Sequence, residues 1–262
     1  MRKVLSVSVQ RANPAGNITL YVLDHVAPEE RPRITAYLMA QKELQTEQIA
    51  YCCPPIMGGE GRIEMAGGEF CGNAARAFAM LLQQKRQLPT SFSLEVSGCD
   101  HLVEVQVEGD KAQAQMPLPK WVRTVKEVDG VLVHLGGIAH LVVKRAPSEE
   151  FLNQMEGIFQ EIPSLDAYGV MFLTEPEGTM VPLVKVPAAH TLVWEGSCGS
   201  GTLAASIAMS IHEVDGTFSY SWKQPSGTVE ATIEKRDGQV IAARIGGLVE
   251  LDESITVDVG MQ

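Results

Sequence analysis

One stretch of this sequence occurs twice, and that constrains the chain more than anything else in it. Residues 67–81 read GGEFCGNAARAFAML and residues 195–209 read EGSCGSGTLAASIAM. Both place a Cys-Gly step before a run of small apolar helix formers, with no polar face between them. Such a helix is expected to be buried nearly all round. The flanks repeat as well: a Ser-Gly step in a strand break follows each copy, at Ser97-Gly98 and Ser226-Gly227. An internal duplication follows, with two halves related by a pseudo-twofold. Symmetry of that kind is expected to bring two equivalent helix N-termini face to face across a cleft.

Strand-like runs fill the space around these helices: 4–9, 18–23, 49–53, a strand around Ile63, 92–96, 102–107 and 112–116 in the first half. In the second half they are 131–135, 140–144, 169–173, 183–186, 218–222, 228–233, 240–245 and 255–259. Helical patterns cover 28–44 and 148–160. Pro117-Leu118-Pro119 is the best linker in the chain, which sets a division at 1–117 and 118–249. With 262 residues and 45% hydrophobic composition, each half can bury its own core.

Charge excludes some functions. Twenty-one basic against 32 acidic side chains give a formal net charge of -11, which repels nucleic acid and anionic lipid. No apolar run approaches the ~20 residues of a membrane span. The first residues lack a signal-peptide pattern, so a cytoplasmic protein is expected. An odd number of cysteines, 5 in all, argues against a disulfide framework. No CxxC or HxxxH spacing occurs, so no metal is expected.

Cys71 and Cys198 carry the chemistry. At the first turn of a helix a thiol sits in the field of unpaired N–H groups, which is expected to lower its pKa and leave a fraction as thiolate near neutral pH. The Gly72-Asn73 and Gly199-Ser200 amides beside them form a ready site for a carboxylate. An α-amino acid held by that carboxylate exposes its Cα–H to one thiolate and its opposite face to the other thiol. Removal on one side and delivery on the other inverts the centre. Cys52, Cys53 and Cys99 lack this setting and read as packing or surface thiols.

These blocks resemble the diaminopimelate epimerase family of two-cysteine amino-acid racemases that work without pyridoxal phosphate. The turn Asn13-Pro-Ala-Gly-Asn17, the block EFCGNAAR at 69–76 and SCGSGT at 197–202 carry the likeness over nearly the whole chain. The resemblance implies an α/β (α+β) fold of two pseudo-symmetric domains. Each would be a mostly antiparallel barrel-like sheet around a central helix, with 250–262 returning to the first domain. It implies that Cys71 and Cys198 are the acid/base pair, that Gly72, Asn73, Gly199 and Ser200 bind the carboxylate, that Asn17 and Gln48 contact substrate, and that His140 tunes the cysteines. Members of the family often pair, so a homodimer is the expected assembly.

Departures from the epimerase pattern point to its substrate. Residues 65–70 shorten to MAGGEF, Gly169 stands for a strand asparagine, and Ala189-His190 replaces the Glu-Arg pair that grips the distal carboxylate. The chain is more similar to a branch that racemises histidine for opine-type metallophores, sharing Glu47-Gln48, VSGC at 96–99, QMP at 115–117, WEGSC at 194–198 and Gln224-Pro225. On that reading Glu47 receives a cationic side chain, Glu195 supplies charge near Cys198, and His190 joins the substrate contacts. The remaining alternatives are a diaminopimelate epimerase, a broad-specificity racemase, or a non-catalytic amino-acid-binding or thiol redox-sensing protein.

Overall fold

The computed structural model describes residues 4–174 and 178–260. The chain divides into two compact units, Met1–Ala114 with Gly246–Gln262, and Gln115–Ile245.

In the first unit, β1 (Val4–Asn13) lies antiparallel to β2 (Thr19–Val22) and to β18 (Ile255–Gly260). Next, β2 runs parallel to β3 (Gln48–Cys53), and β3 antiparallel to β4 (Gly61–Met65). Strand β5 (Ser91–Val96) is parallel to β4, and β6 (Val103–Glu108) and β7 (Lys111–Gln115) close the series antiparallel. The short β17 (Glu250–Leu251) pairs with the end of β1. These strands wrap α2 (Gly72–Arg86), whose residues are buried without a break from Gly72 to Leu82. Side chains around it come from almost every strand: Ala12, Tyr21, Ala50, Ile63, Leu94, Val105 and Ala114. The neighbouring residues on β2 and β3, Leu20, Val22, Ile49 and Tyr51, point to the other face, where Ile34 and Leu38 of α1 (Arg31–Ala40) cover them. Both faces of β2 are therefore buried, as the period-2 alternation of a strand requires.

The helical pattern expected over 28–44 is broken. A 3-10 turn occupies Pro28–Glu30, α1 stops at Ala40, and a second 3-10 turn spans Lys42–Leu44. Gln41 is extended, with ψ 96, and its side-chain amide donates to the Tyr37 carbonyl. That bond occupies a carbonyl another helical turn would have needed.

The second unit repeats the order. Strand β8 (Trp121–Val125) precedes β9 (Gly130–His134), and β9 lies antiparallel to β10 (Ile138–Lys144). α3 (Glu149–Gln160), capped by Ser148, leads to β11 (Ala167–Thr174), parallel to β10. β12 (Thr179–Val186) and β13 (Thr191–Trp194) form a hairpin. Next come α4 (Gly199–Met209), β14 (Gly216–Gln224), β15 (Gly227–Arg236) and β16 (Gln239–Leu248). α4 is buried from Gly201 to Ile207. In each unit one helix joins two parallel strands on an outer face, and a second, apolar helix lies inside the sheet.

Sequence patterning misses β8, β13 and β17. β8 and β13 are exposed along most or all of their length, so neither carries the alternation that marks a half-buried strand.

Candidate active site

Both duplicated helices begin the same way. Cys71 caps α2 with φ −130 and ψ 109, and Cys198 caps α4 with φ −128 and ψ 110. Each sulfur accepts the N–H three residues on, Ala74 at 3.4 Å and Gly201 at 3.3 Å. Capping by a side chain fixes the thiol over the helix mouth rather than letting it swing away. The Ser-Gly steps noted in the sequence hold the segments that enter these caps. Ser97 Oγ accepts from the Met65 amide and donates to the Glu69 carbonyl, and the Ser226 amide donates to the Gly196 carbonyl. Gly98 has φ +75, and a Cβ there would lie 2.4 Å from the Phe70 nitrogen, so no larger residue fits that turn.

Around Cys71 the structure gathers Asn17 and Gln48. The thiol donates to Asn17 Oδ1 at 3.6 Å, and Gln48 Nε2 lies 3.4 Å from the sulfur. Gln48 Nε2 also donates to Asn17 Oδ1 at 2.6 Å and to Thr19 Oγ1 at 2.7 Å. Glu47 accepts the Ile18 amide at 3.1 Å, next to Asn17, with its side chain exposed. Asn17 itself has φ 58, and Ala15 of the same turn φ 61. Left-handed backbone at a non-glycine residue is costly and persists where surrounding contacts hold it.

Around Cys198 the dressing differs. Ser200 Oγ lies 3.5 Å from the sulfur and 2.8 Å from His140 Nε2. His140 is fully buried, its Nδ1 has no partner among the described residues, and burial pushes its pKa down to about 3. A neutral ring with the proton on Nε2 leaves Nδ1 a bare lone pair, which is less costly than a bare N–H. His140 then donates to Ser200, and the Ser200 hydroxyl donates to the sulfur. Sequence reasoning missed the hydroxyl: it assigned Ser200 only a backbone role. It also missed Gln224, whose Oε1 accepts the Cys198 amide at 2.8 Å while Nε2 donates to Thr202 Oγ1 at 2.8 Å. Thr202 in turn donates to the Cys198 carbonyl at 2.7 Å, closing a ring that fixes the cap.

His190 makes none of the hydrogen bonds described around the two cysteines. It is exposed at the tip of the β12–β13 hairpin with φ 53, separated from Glu195 by the four residues of β13. A strand of that length spans roughly 13 Å.

The expected lowering of the two thiol pKa values is overturned. Burial raises the Cys71 pKa against the pull of the Ala74 amide and Gln48, and Glu69 adds to the rise. Burial pushes Cys198 well above the ordinary thiol value, with the Glu195 carboxylate beside it reinforcing the effect. A helix terminus is worth about 0.3–1 kcal/mol, up to ~2. Removing water from around a charged thiolate costs more than that field returns, so burial wins. Both thiols are protonated near neutral pH. The helix field, the one effect visible in the sequence, is the smaller of the two. Cys52 is pushed up to about 12 by burial, as a packing thiol would be.

Gly169 explains one departure from the epimerase pattern. A Cβ at this position would lie 2.4 Å from the Leu183 carbonyl oxygen, so β11 passes too close to β12 for an asparagine. A cavity of about 690 Å³ in the first unit, lined by Arg31, Tyr51, Arg62 and Glu95, includes neither Cys71 nor Cys198.

Comparison with known proteins gives this arrangement a lineage. Residues 6–254 match the model described as "Histidine racemase CntK N-terminal domain". A histidine racemase of Fusobacterium nucleatum is 28% identical over 248 residues, 88% of this chain and 91% of its own. One from Staphylococcus aureus is 25% identical over 249 residues, 89% and 90% of the two chains. Among solved structures, a hydroxyproline epimerase from Agrobacterium vitis matches with a TM-score of 0.64 at 13% identity, covering 99% of this chain and 94% of that one. A phenazine biosynthesis protein PhzF family member from Enterococcus faecalis gives 0.62 at 14% identity, with 97% and 99% covered. The structural likenesses establish the two-part α+β fold, and the match over 6–254 makes this chain a member of the histidine racemase family.

Proposed function

We propose that the protein interconverts L- and D-histidine, using Cys71 and Cys198 as acid and base on opposite faces of Cα. The observation that carries this reading is the pair of matched caps: two cysteines with near-identical φ/ψ, each with its sulfur over the mouth of a duplicated helix. The Gly72 and Gly199 amides have no acceptor among the described residues, which suits them to a substrate carboxylate. Charge developing on that carboxylate as Cα loses its proton is stabilised more in the transition state than in the ground state.

The reaction balances within the site. One thiolate takes the Cα proton, the electron pair stays on carbon and the carboxylate, and the opposite thiol returns a proton to the other face. The two sulfurs end with their protonation states exchanged. Burial holds both thiols neutral in the free protein, so one proton leaves to solvent as substrate binds, and the positive charge of the substrate ammonium favours the thiolate that then starts the cycle. Histidine is favoured over diaminopimelate by family membership and by the loss of the Glu-Arg pair at Ala189-His190. Thiols whose pKa values are raised also speak against a redox sensor, which needs a low-pKa thiolate. A homodimer, a cytoplasmic location and a place in opine-type metallophore synthesis belong to the same proposal.

The test is a panel of the twenty L-amino acids and diaminopimelate incubated in heavy water and read by mass. Histidine is expected to gain one deuterium at Cα and to yield the D enantiomer. Labelled diaminopimelate with inert histidine would overturn the substrate, and no labelling at all would overturn the chemistry.

A further inference from the structure

The duplication is broken by a charge at one buried position. When Cys71 is laid on Cys198, Arg76 falls on Leu203: a guanidinium in one central helix, an aliphatic side chain in the other. Arg76 is completely buried, and burying a charge is costly unless its donors are satisfied. Its Nε donates to Asn73 Oδ1 at 3.1 Å, and one terminal nitrogen donates to the Pro14 carbonyl at 2.7 Å. The other donates to the Gly247 and Leu248 carbonyls at 3.1 and 3.0 Å. These acceptors lie on three separate segments: the first turn of α2, the left-handed turn at 13–17, and the chain just after it re-enters the first unit past Ile245.

We infer that Arg76 is a positioning residue that locks the 13–17 turn to the first turn of α2 and so sets Asn17 against the Cys71 thiol. The turn needs such a lock. Ala15 and Asn17 both hold positive φ, a conformation that survives only where contacts over-determine it. Asn13 Oδ1 secures it from within by accepting the Gly16 amide at 2.8 Å, and Gln48 holds the Asn17 end. Arg76 holds the Pro14 end and ties the turn to α2 through Asn73. A planar fork serves acceptors in several directions at once, which an ammonium cannot. The geometry of the thiol stands on its own; an effect on catalysis rests on the proposed racemase reading.

The experiment follows the thiol directly. Cys71 and Cys198 alkylation by iodoacetamide is timed separately by peptide mass spectrometry in the full chain and in Arg76→Lys. Loosening of the turn is expected to speed Cys71 modification about tenfold, equivalent to ~1.4 kcal/mol, with Cys198 unchanged. Millimolar guanidinium added to Arg76→Ala is expected to restore protection of Cys71 and, with it, histidine racemisation. An unchanged Cys71 rate, or equal acceleration of both cysteines, would overturn the positioning role. Should the lysine variant fail to fold, Asn73→Ala removes one acceptor and leaves the guanidinium in place. A Cys71 rate unmoved there would likewise count against the inference. If Cys71 responds as expected while the wild-type protein leaves histidine unlabelled, Arg76 keeps its role and the racemase reading falls.

Discussion

The two cysteine caps share a backbone and differ in everything attached to it. Cys71 is served by amides: Asn17 accepts from the thiol, and Gln48 points its NH₂ at the sulfur. Cys198 is served by a hydroxyl backed by a buried imidazole, with the Glu195 carboxylate on another side. Duplication supplied one way to present a thiol at a helix mouth. Divergence then gave one copy amide partners, with the Glu69 carboxylate a lesser influence, and the other a donor chain that supports a thiolate against the Glu195 carboxylate that opposes it. On the proposed two-base reading, an enzyme whose bases exchange roles each turnover needs the pair poised, and unequal surroundings adjust each member separately.

That contrast can be broken most severely at Ser200. Ser200→Ala removes the hydroxyl linking His140 to Cys198 and strands Nε2 in the core. Turnover of histidine is expected to fall about 100-fold, in the range for loss of one preorganised hydrogen-bond donor, while KM moves far less. Gln48→Leu, the corresponding change beside Cys71, is expected to cost roughly tenfold, because the Ala74 amide still reaches the sulfur. Steady-state kinetics on both variants settle the order, and a larger loss at Gln48 would reverse the comparison.

Glu195→Gln sharpens it further. A carboxylate beside Cys198 disfavours the thiolate and raises that pKa, so a neutral amide lowers it. The rise of kcat/KM with pH is then expected to begin at lower pH than in the wild type. An unmoved or upward-shifted limb would show that Glu195 does not govern Cys198.

A separate effect concerns stability. His140 titrates at about 3 in the folded protein, against an ordinary value of 6.5. As pH falls below about 6.5 the unfolded chain takes up a proton that the folded chain refuses. Stability is therefore present above that pH and lost down to about 3, with a slope approaching 1.4 kcal/mol per pH unit. Thermal midpoints between pH 7 and 4 should fall less steeply in His140→Gln than in the wild type.

Much of this was legible in the residues. The paired Cys-Gly steps gave both central helices, and both begin where the motif places them, because each thiol caps its own helix by accepting the N–H three residues on. The turn at 13–17 announced itself through Pro, Gly and Asn. Exposed strands such as β13 were invisible because their side chains follow no burial rhythm. The Ser200 hydroxyl, the ring through Gln224 and Thr202, and the reach of Arg76 to Gly247 join positions far apart in sequence, so no local pattern records them. The thiol pKa values were misjudged because sequence reveals the helix terminus but not the depth at which the sulfur lies.

The central claim is that both sulfurs act on one carbon, and single replacement tests it most directly. Cys71→Ser and Cys198→Ser, each confirmed as folded, are incubated with L-histidine, and D-histidine is followed by chiral chromatography. Each variant is expected to lose D-histidine production to the limit of detection. Wild-type turnover in either one would mean that a single thiol suffices, and the two-base account would be wrong.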